Sequence, residues 1–103
     1  MWILRSSETD GSLTFRLAPG SIKTVGRASR ADFIVDAALV SRLHCRLEAG
    51  DARLDVVDLE STNGTFVNDA RVVDRAKLAE GDRLRVGRVE LKVTRDDDQR
   101  GNR

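Results

Sequence analysis

Residues 58–68 read Asp-Leu-Glu-Ser-Thr-Asn-Gly-Thr-Phe-Val-Asn. The five central residues, 61–65, are small, polar or flexible, and strand-like apolar positions flank them on both sides. An Asn-Gly pair supplies the positive backbone torsions of a sharp reversal, and Ser, Thr and Asn side chains can bond their own backbone or a docked molecule. The stretch therefore predicts a tight loop rich in hydrogen bonds. An Asn-Gly pair alone is common in hairpins and defines no function.

Two upstream segments give this loop its context. Gly26-Arg27 ends one strand-like segment, and Ser41-Arg42-Leu43-His44 opens another. In a β-sandwich the loops cluster at two ends, and loops on a rigid scaffold usually carry the binding residues. We predict that the three loops meet at one end of a sandwich and form a receptor for a phosphorylated side chain.

The composition indicates one ordinary domain without a bulk charge. The chain has 103 residues, 40% of them hydrophobic, which is enough to bury a core without metals or disulfides. Eighteen basic and seventeen acidic residues leave a net charge of +1, and residues 96–98 form the one run of a single sign. Nucleic-acid or membrane binding is therefore not expected, and any anion binding must be local.

Cysteine usage and the N-terminus suggest a cytoplasmic protein. The single Cys45 cannot form an internal disulfide, and one Cys with one His cannot assemble a zinc site. No metal and no other cofactor is expected. The apolar run at residues 2–4 is too short for a signal peptide or a membrane span.

Short strands separated by turns account for most of the chain. Apolar and polar residues alternate over residues 13–17, 43–48 and 83–93, and Gly87-Arg88 divides the last segment as a two-residue turn. His44 falls on the polar side of the second segment. Further turn signals stand at Asp10-Gly11, Pro19-Gly20, Gly50-Asp51 and residues 80–82.

Three segments between these strands are less regular. Residues 33–35 form an apolar run that predicts a short buried strand. Residues 36–40 are too few for a stable helix, so we predict a loop leading to Ser41. Val72 and Leu78 are interpreted as isolated apolar anchors among polar loop residues.

These patterns predict an all-β protein, an antiparallel β-sandwich with the binding loops at one end. Residues 1–94 are expected to form the domain. Residues 95–103 are charged and almost without apolar side chains, which predicts a disordered tail or the start of a linker.

Arg27 and Ser41 are the leading candidates for phosphate contact. A guanidinium at a strand end can hold two oxygens of one phosphate as a planar fork, although Arg27 is one of fifteen arginines and could be a solvated surface residue. The Ser41 hydroxyl can donate to a phosphate oxygen, or it can bond its own backbone in a turn. Arg42 offers a second cation.

His44 and Asn63 each have two interpretations. His44, three residues after Ser41, could act as its catalytic base, but no acidic partner or Gly-x-Ser-x-Gly elbow accompanies it, so a hydrogen-bonding strut between loops is favoured. The Asn63 carboxamide can clasp a peptide backbone, or Asn63 can be the left-handed residue of an Asn-Gly hairpin. Cys45 is interpreted as a small core residue.

The serial order of these motifs resembles the forkhead-associated (FHA) domain family. Residues 26–27, 41–45, 58–68 and 81–82 and Val86-Gly87 follow the family's order with suitable gaps, over about residues 2–94. Motifs in series are far more specific than any one of them. The resemblance implies an eleven-stranded β-sandwich that binds phosphothreonine peptides without catalysis.

The resemblance also implies a role for each motif residue. Arg27 and Ser41 would hold the phosphate with help from Arg42 and Thr62, and Asn63 would bond the peptide main chain. The positions that shape and brace the loops would be Gly26, His44 and Gly64.

The expected function is phosphothreonine-dependent protein binding in Ser/Thr-kinase signalling, with a kinase or its substrate as partner. Three alternatives remain. The first is an FHA-like scaffold that docks a partner through a sheet face without phosphate. The second is an enzyme built on Ser41 and His44. The third, nucleic-acid binding, has dispersed basic residues and 4% aromatics against it.

Overall fold

The computed structural model describes residues 1–6 and 13–96. The predicted turn at Asp10-Gly11 and residues 97–103 of the predicted tail lie outside the described residues. Eleven strands are present in this part of the chain: β1 (Trp2–Ser6), β2 (Thr14–Leu17), β3 (Ile22–Gly26), β4 (Phe33–Ile34), β5 (Cys45–Ala49), β6 (Leu54–Asp58), β7 (Thr65–Val67), β8 (Ala70–Arg71), β9 (Arg75–Leu78), β10 (Arg83–Val86) and β11 (Val89–Arg95).

The strands form two sheets whose inner faces enclose one core. The six-stranded sheet has the order β2-β1-β11-β10-β7-β8, and the five-stranded sheet has the order β4-β3-β5-β6-β9. Among the described residues, every strand pairing is antiparallel except that of β3 with β4, which is parallel. The predicted all-β sandwich is confirmed, with this one parallel pair. The largest fully buried side chains include Leu4, Leu17, Leu47, Leu54, Leu84 and Leu91.

Alternating sequence produces alternating burial where the prediction was clearest. In β2, Phe15 and Leu17 are buried while their neighbours are exposed, and in β10 Leu84 and Val86 face the core. Successive side chains of a strand point to opposite faces, so period-two patterns mark one buried face. Val86 pairs with Val89 across the predicted two-residue turn, where Gly87 has a φ of 61°.

The prediction of a buried strand over residues 33–35 is wrong in part. β4 is an edge strand of two residues, and the Ile34 side chain is 44% exposed. Phe33 stacks on Phe15 of the other sheet with ring centroids 4.5 Å apart, and Val35 is buried beyond the strand end. The apolar run therefore closes one edge of the sandwich instead of crossing its centre.

The segment around Val72 and Leu78 contains two strands that the sequence did not predict. Both side chains are buried as predicted, but β8 and β9 replace most of the expected loop. β8 has only two residues and so shows no alternation, whereas β9 alternates exposed Arg75 and Lys77 with Ala76 and Leu78 over only four residues at a sheet edge.

The C-terminal strand extends one residue past the predicted domain. β11 ends at Arg95, and the Asp96 amide donates to the Met1 carbonyl oxygen at 2.8 Å. The tail from residue 97 onward stays a prediction. Within residues 1–6 and 13–96, no helix has the length and apolar character needed to cross a membrane.

Candidate functional site

Three loops meet in an open cleft at one end of the sandwich, as the sequence predicts. The cleft has a volume of about 660 Å³. Residues 36–42 form one wall, and Arg27, Thr62 and Asn63 complete the lining. The structure thus brings together all five residues assigned to ligand contact, while Gly26, His44 and Gly64 lie behind them.

Gly26 allows the first two loops to touch. A Cβ atom at this position would lie 2.1 Å from the Arg42 carbonyl oxygen, so only a glycine permits this approach of two backbones. The contact is closed by two backbone hydrogen bonds, from the Arg27 amide to the Ser41 carbonyl oxygen at 3.0 Å and from the Ala28 amide to the Arg42 carbonyl oxygen at 3.1 Å.

The Arg27 guanidinium is anchored at one nitrogen. Its Nε donates to the Val40 carbonyl oxygen at 3.1 Å, while the residue as a whole is exposed. The two terminal nitrogens make no hydrogen bond within the described part of the chain. A guanidinium held at Nε therefore presents its remaining N–H groups to the cleft, in the planar fork that suits two oxygens of one phosphate.

Ser41 connects the second loop to the third. Its Oγ accepts a hydrogen bond from the Thr62 amide at 3.0 Å, so the hydroxyl hydrogen is left to donate to another acceptor. The side chains of Thr62 and Arg42 are exposed beside it. Ser41 thus offers a donor at the point where the loops converge.

His44 is buried and braces the loops from below. The Ser41 amide donates to His44 Nδ1 at 3.0 Å, which leaves Nδ1 unprotonated, and His44 Nε2 then donates to the Gly64 carbonyl oxygen at 2.9 Å. The ring is 0% exposed, so its assignment to a polar strand face is wrong. Since both nitrogens are engaged by backbone groups, neither can take a proton from the Ser41 hydroxyl.

Asp58 organises the loop that contains Asn63. Its carboxylate accepts from Ser61 Oγ at 2.6 Å, from Thr65 Oγ1 at 2.7 Å and from the Ser61 amide at 3.3 Å. Ser61 Oγ in turn accepts from the Gly64 amide at 3.0 Å. The prediction of a loop rich in hydrogen bonds is confirmed. Asp58 itself was missed, although a carboxylate three residues before a serine is a common loop-capping arrangement.

These hydrogen bonds determine the charge state of Asp58. Burial raises the pKa of the carboxyl, but the side-chain hydrogen bonds from Ser61 and Thr65, the Ser61 amide and the nearby His44 outweigh it and lower the pKa below its ordinary value of 3.8. Asp58 is therefore an anion at neutral pH and holds the loop as a charged acceptor.

The Asn-Gly pair does not form a hairpin. β6 and β7, which flank the loop, belong to different sheets, so the loop carries the chain across the sandwich. Positive φ angles occur at Glu60 (57°) and Gly64 (93°) but not at Asn63. The interpretation of Asn63 as a left-handed hairpin residue is therefore wrong.

Asn63 instead points toward the opposite wall. Its Nδ2 donates to the Leu39 carbonyl oxygen at 3.2 Å, and within the described residues its side chain makes no other hydrogen bond. The second amide hydrogen and Oδ1 can thus bond a docked backbone. Leu39 is held in the left-handed region at a φ of 72°, and Gly87 packs tightly behind it, since a Cβ atom there would lie 3.2 Å from the Leu39 carbonyl carbon.

The wall formed by residues 36–40 was missed as a functional segment. The sequence predicted a loop there, which is confirmed, but gave it no part in the site. Ala37, Ala38 and Leu39 make an apolar rim, and Asp36 adds a negative charge to the cleft. The position of this segment in the sequence could have indicated its role, because the residues immediately before Ser41 lie next to any ligand that Ser41 contacts.

Cys45 is a core residue and carries no reactive thiolate. Burial, with the nearby Asp58 charge, raises the pKa of its thiol to about 12. The thiol is therefore protonated at neutral pH. Within residues 1–6 and 13–96, no group of three or more His, Cys, Asp or Glu side chains could hold a metal ion.

Comparison with known proteins identifies the family. The FHA domain profile matches residues 23–87, which include all of the assigned site residues. The chain belongs to the FHA domain family.

Two relatives and one solved structure illustrate the likeness. The chain is 41% identical over 81 residues, 79% of its length, to an ABC transporter ATP-binding/permease protein of Mycobacterium tuberculosis. It is 43% identical over 70 residues, 66% of its length, to the glycogen accumulation regulator GarA of Mycolicibacterium smegmatis. It covers 9% and 42% of the lengths of these relatives.

The solved structure comes from a structural and functional analysis of phosphothreonine-dependent FHA domain interactions. It superposes with a TM-score of 0.82 at 34% sequence identity, covering 92% of this chain and 96% of the other.

Proposed function

We propose that this chain is a phosphothreonine-dependent binding module that recognises a phosphorylated protein and performs no catalysis. The observation that carries the proposal is the pairing of two donors in one open cleft. The Arg27 guanidinium is anchored by Val40 with its terminal nitrogens exposed, and the Ser41 hydroxyl beside it is oriented by the Thr62 amide.

The chemistry of the guest matches these donors. A phosphorylated threonine carries about −1.5 to −2 charges at pH 7 and three strong acceptor oxygens. Arg27 and Ser41 would take the phosphate with help from Arg42 and Thr62, and Asn63 would bond the peptide main chain. Each hydrogen bond to a charged group contributes about 1.5–3 kcal/mol, while ordering the peptide opposes binding, so we expect micromolar affinity.

The non-catalytic assignment rests on the engaged state of His44. Its Nδ1 accepts from the Ser41 amide and its Nε2 donates to the Gly64 carbonyl oxygen, so Ser41 lacks a base among the described residues. The proposed setting is cytoplasmic Ser/Thr-kinase signalling, with a kinase or one of its substrates as partner. The names of the relatives, which include a regulator and an ATP-binding/permease protein, are consistent with regulatory use of such a module.

The test is a calorimetric titration with three versions of one peptide, bearing phosphothreonine, phosphoserine or unmodified threonine. We expect binding of the phosphothreonine peptide, weaker binding of the phosphoserine peptide and none of the unmodified one. The Arg27→Ala variant should lose at least about 100-fold in affinity, about 2.7 kcal/mol, with an unchanged melting temperature because the side chain is exposed.

Arg30→Ala is the matched control, since Arg30 is also exposed but does not line the cleft. It should bind the phosphothreonine peptide within about twofold of the parent. Equal affinities for the phosphorylated and unmodified peptides would instead support a phosphate-independent scaffold. An Arg27→Ala variant that binds like the parent would show that the phosphate sits elsewhere.

A further inference from the structure

The outer face of the six-stranded sheet collects basic side chains from distant parts of the chain. Two observations place these residues on the outer face. Some alternate along their strand with core residues, and the others pair across the sheet with residues that face outward. The basic face consists of Arg5, Arg16, Arg71, Arg83, Arg85 and Lys92. Among the described residues two carboxylates accompany them, Glu90 on the face and Asp69 at its edge.

Register places three of these cations in one row. Arg83 of β10 pairs with Lys92 of β11, and Lys92 pairs with Arg5 of β1. Adjacent strands are about 4.8 Å apart, so the row spans about 10 Å across the sheet. Like charges directly opposite one another are unfavourable, and such a row is expected to attract an anionic partner.

Most of these charges have no intramolecular partner in the described part of the chain. Arg83 lies 3.7 Å from Asp69 and 3.5 Å from Glu90. No carboxylate of residues 1–6 and 13–96 lies within 4.0 Å of the charged groups of the other four exposed strand residues, which are Arg5, Arg16, Arg71 and Lys92.

The net charge of the whole chain conceals this face. Among the described residues, six basic and two acidic residues belong to it, a net charge of +4, whereas the whole chain has a net charge of +1. The expectation from sequence that basic residues are dispersed is therefore wrong for this sheet. The sheet order places β1 and β2 beside β10 and β11, and no local pattern reveals that neighbourhood.

The opposite sheet provides the contrast. On its outer face Arg75 bridges Glu48 and Asp55, with Arg46 on Glu48 and Arg53 on Asp55. Each of these arginines has a carboxylate partner within 4 Å, so the arginines of that face are paired within it, although with the exposed Lys77 opposite Asp55 four basic residues share two carboxylates.

The basic face is continuous with the cleft through Arg71. The Arg71 guanidinium lies 3.3 Å from where a Cβ atom of Gly64 would be, and Gly64 directly follows the cleft residue Asn63. Arg71 pairs with Phe66, and the Arg85 guanidinium covers the Phe66 ring at 4.2 Å from its centroid. A bound polypeptide that leaves the cleft beside Asn63 would therefore pass first Arg71 and then Arg85.

We propose that the basic face is a second contact surface, which binds an acidic segment of the same polypeptide that places its phosphothreonine in the cleft; this rests on the proposed function. The occupant follows from charge and continuity. Asp36 disfavours acidic residues at the opposite wall of the cleft, while Arg71 favours them on this side. Nucleic acid is the weaker candidate, because Arg85 covers the ring of Phe66, the one aromatic side chain on the face among the described residues.

The test compares a short phosphothreonine peptide with versions that carry an acidic extension. The row of Arg83, Lys92 and Arg5 lies about two to four strand spacings from Arg71, roughly 10–20 Å, which a flexible linker of about eight residues can span. Two extended peptides are used, and in each of them the linker joins the phosphothreonine segment to four glutamates. The extension is attached at the N-terminal end of one peptide and at the C-terminal end of the other. At low salt, we expect one extended peptide to bind about tenfold more tightly than the short one.

The basic-face variant is Arg5→Glu with Lys92→Glu, and both side chains are exposed and distant from the cleft lining. The gain from the acidic extension should vanish in this variant, while its affinity for the short peptide stays within about twofold of the parent. The control is Arg30→Glu with Lys77→Glu, which makes the same change in net charge outside the face and should keep the gain. If the double reversal impairs folding, Arg5→Gln with Lys92→Gln should still reduce the gain.

The outcomes separate this proposal from the proposed function. A parent that binds the short phosphopeptide but gains nothing from either extension overturns the acidic-segment proposal alone. A gain that survives in the basic-face variant also overturns it. Failure of the short phosphopeptide to bind the parent overturns both. Binding of duplex or single-stranded DNA that is lost in the basic-face variant, without any gain from the acidic extensions, would assign the face to nucleic acid instead.

Discussion

The cleft has an exposed layer and a buried layer that treat their polar atoms differently. In the exposed layer, Arg27 and Asn63 each donate one hydrogen bond to a backbone carbonyl oxygen of residues 39–40, and their other donors can bind a peptide. In the buried layer, both nitrogens of the buried His44 and the carboxylate of the half-buried Asp58 are engaged with protein groups. The difference indicates that substitutions in the exposed layer should change peptide binding alone, whereas substitutions in the buried layer should change both the stability of the fold and peptide binding.

The largest effect is expected for Gly26→Ala, in the buried layer. The new Cβ atom would meet the Arg42 carbonyl oxygen at 2.1 Å, so the first two loops must separate and lose their two backbone hydrogen bonds. We expect a loss of more than about 4 kcal/mol in the free energy of unfolding, measured by urea denaturation. Gly50→Ala is the control, since its Cβ atom would lie 3.5 Å from its nearest neighbours, and it should cost less than about 1 kcal/mol. Equal losses in the two variants would contradict the close approach at Gly26.

Asp58→Asn should come next, at about 2–3 kcal/mol of unfolding free energy. The amide keeps the shape of the carboxylate but cannot accept from Ser61 and Thr65 with the strength of a charged acceptor. Phosphopeptide affinity should fall as well, because the loop bearing Asn63 loosens. Asp51→Asn, at an exposed carboxylate, should be nearly neutral. If the Asp58→Asn variant were as stable as the parent but bound the phosphopeptide more weakly, Asp58 would act on binding alone, like the residues of the exposed layer.

The stability difference between the parent and the Asp58→Asn variant should depend on pH. The pKa of Asp58 is lowered by folding, so its contribution to stability is complete above the unfolded value of 3.8 and is lost as the pH falls through the lower folded value. The difference in unfolding free energy between parent and Asp58→Asn should be constant above about pH 5 and shrink below pH 3.8. Chemical denaturation at a series of pH values checks this, and a difference that grows on acidification would reverse the assigned direction.

Ser41→Ala tests the exposed layer. Loss of one hydrogen bond to a charged phosphate should weaken phosphopeptide binding about 10- to 100-fold. Stability should drop by no more than about 1 kcal/mol, because the Thr62 amide that loses its acceptor lies in an exposed loop and can bond water. Ser29→Ala, also in an exposed loop but outside the cleft, should change neither quantity. A stability loss exceeding the binding loss would move Ser41 into the buried layer.

The smallest effect is expected for Asn63→Ala, about three- to tenfold in phosphopeptide affinity. The carboxamide would contact the neutral peptide backbone and not the phosphate, and neutral hydrogen bonds contribute less than charged ones. Its bond to the Leu39 carbonyl oxygen is exposed, so the melting temperature should change little. A loss as large as that of Ser41→Ala would indicate direct phosphate contact.

The sequence was sufficient for the features that depend on local pattern. Alternation over residues 13–17 and 83–93 predicted strands with the correct buried faces. The serial motifs predicted the family and the meeting of three loops, since residue type and spacing within a family fix where each motif lies. The strut role favoured for His44 matches its hydrogen bonds to the Ser41 amide of its own loop and to the Gly64 carbonyl oxygen of the neighbouring loop.

Features that depend on what lies beside a segment could not be predicted in this way. β8 and β9 are short edge elements whose existence depends on pairing with β7 and β6. His44 lies just before β5, and its two hydrogen-bond partners are backbone groups of loop residues Ser41 and Gly64. The basic face depends on a sheet order that joins the first and last strands of the chain, so its charges lie far apart in sequence.

The anchoring of Arg27 by the Val40 carbonyl oxygen bears on which cations this position can accept. A guanidinium can grip the wall with one nitrogen and still extend two others outward, all in a single plane. An ammonium at the end of a lysine carries its three donors on one nitrogen, so it cannot stay at the wall and also extend two donors in a plane farther into the cleft. A lysine would therefore preserve the charge at position 27 while losing the simultaneous hold on host and visitor that the arginine provides.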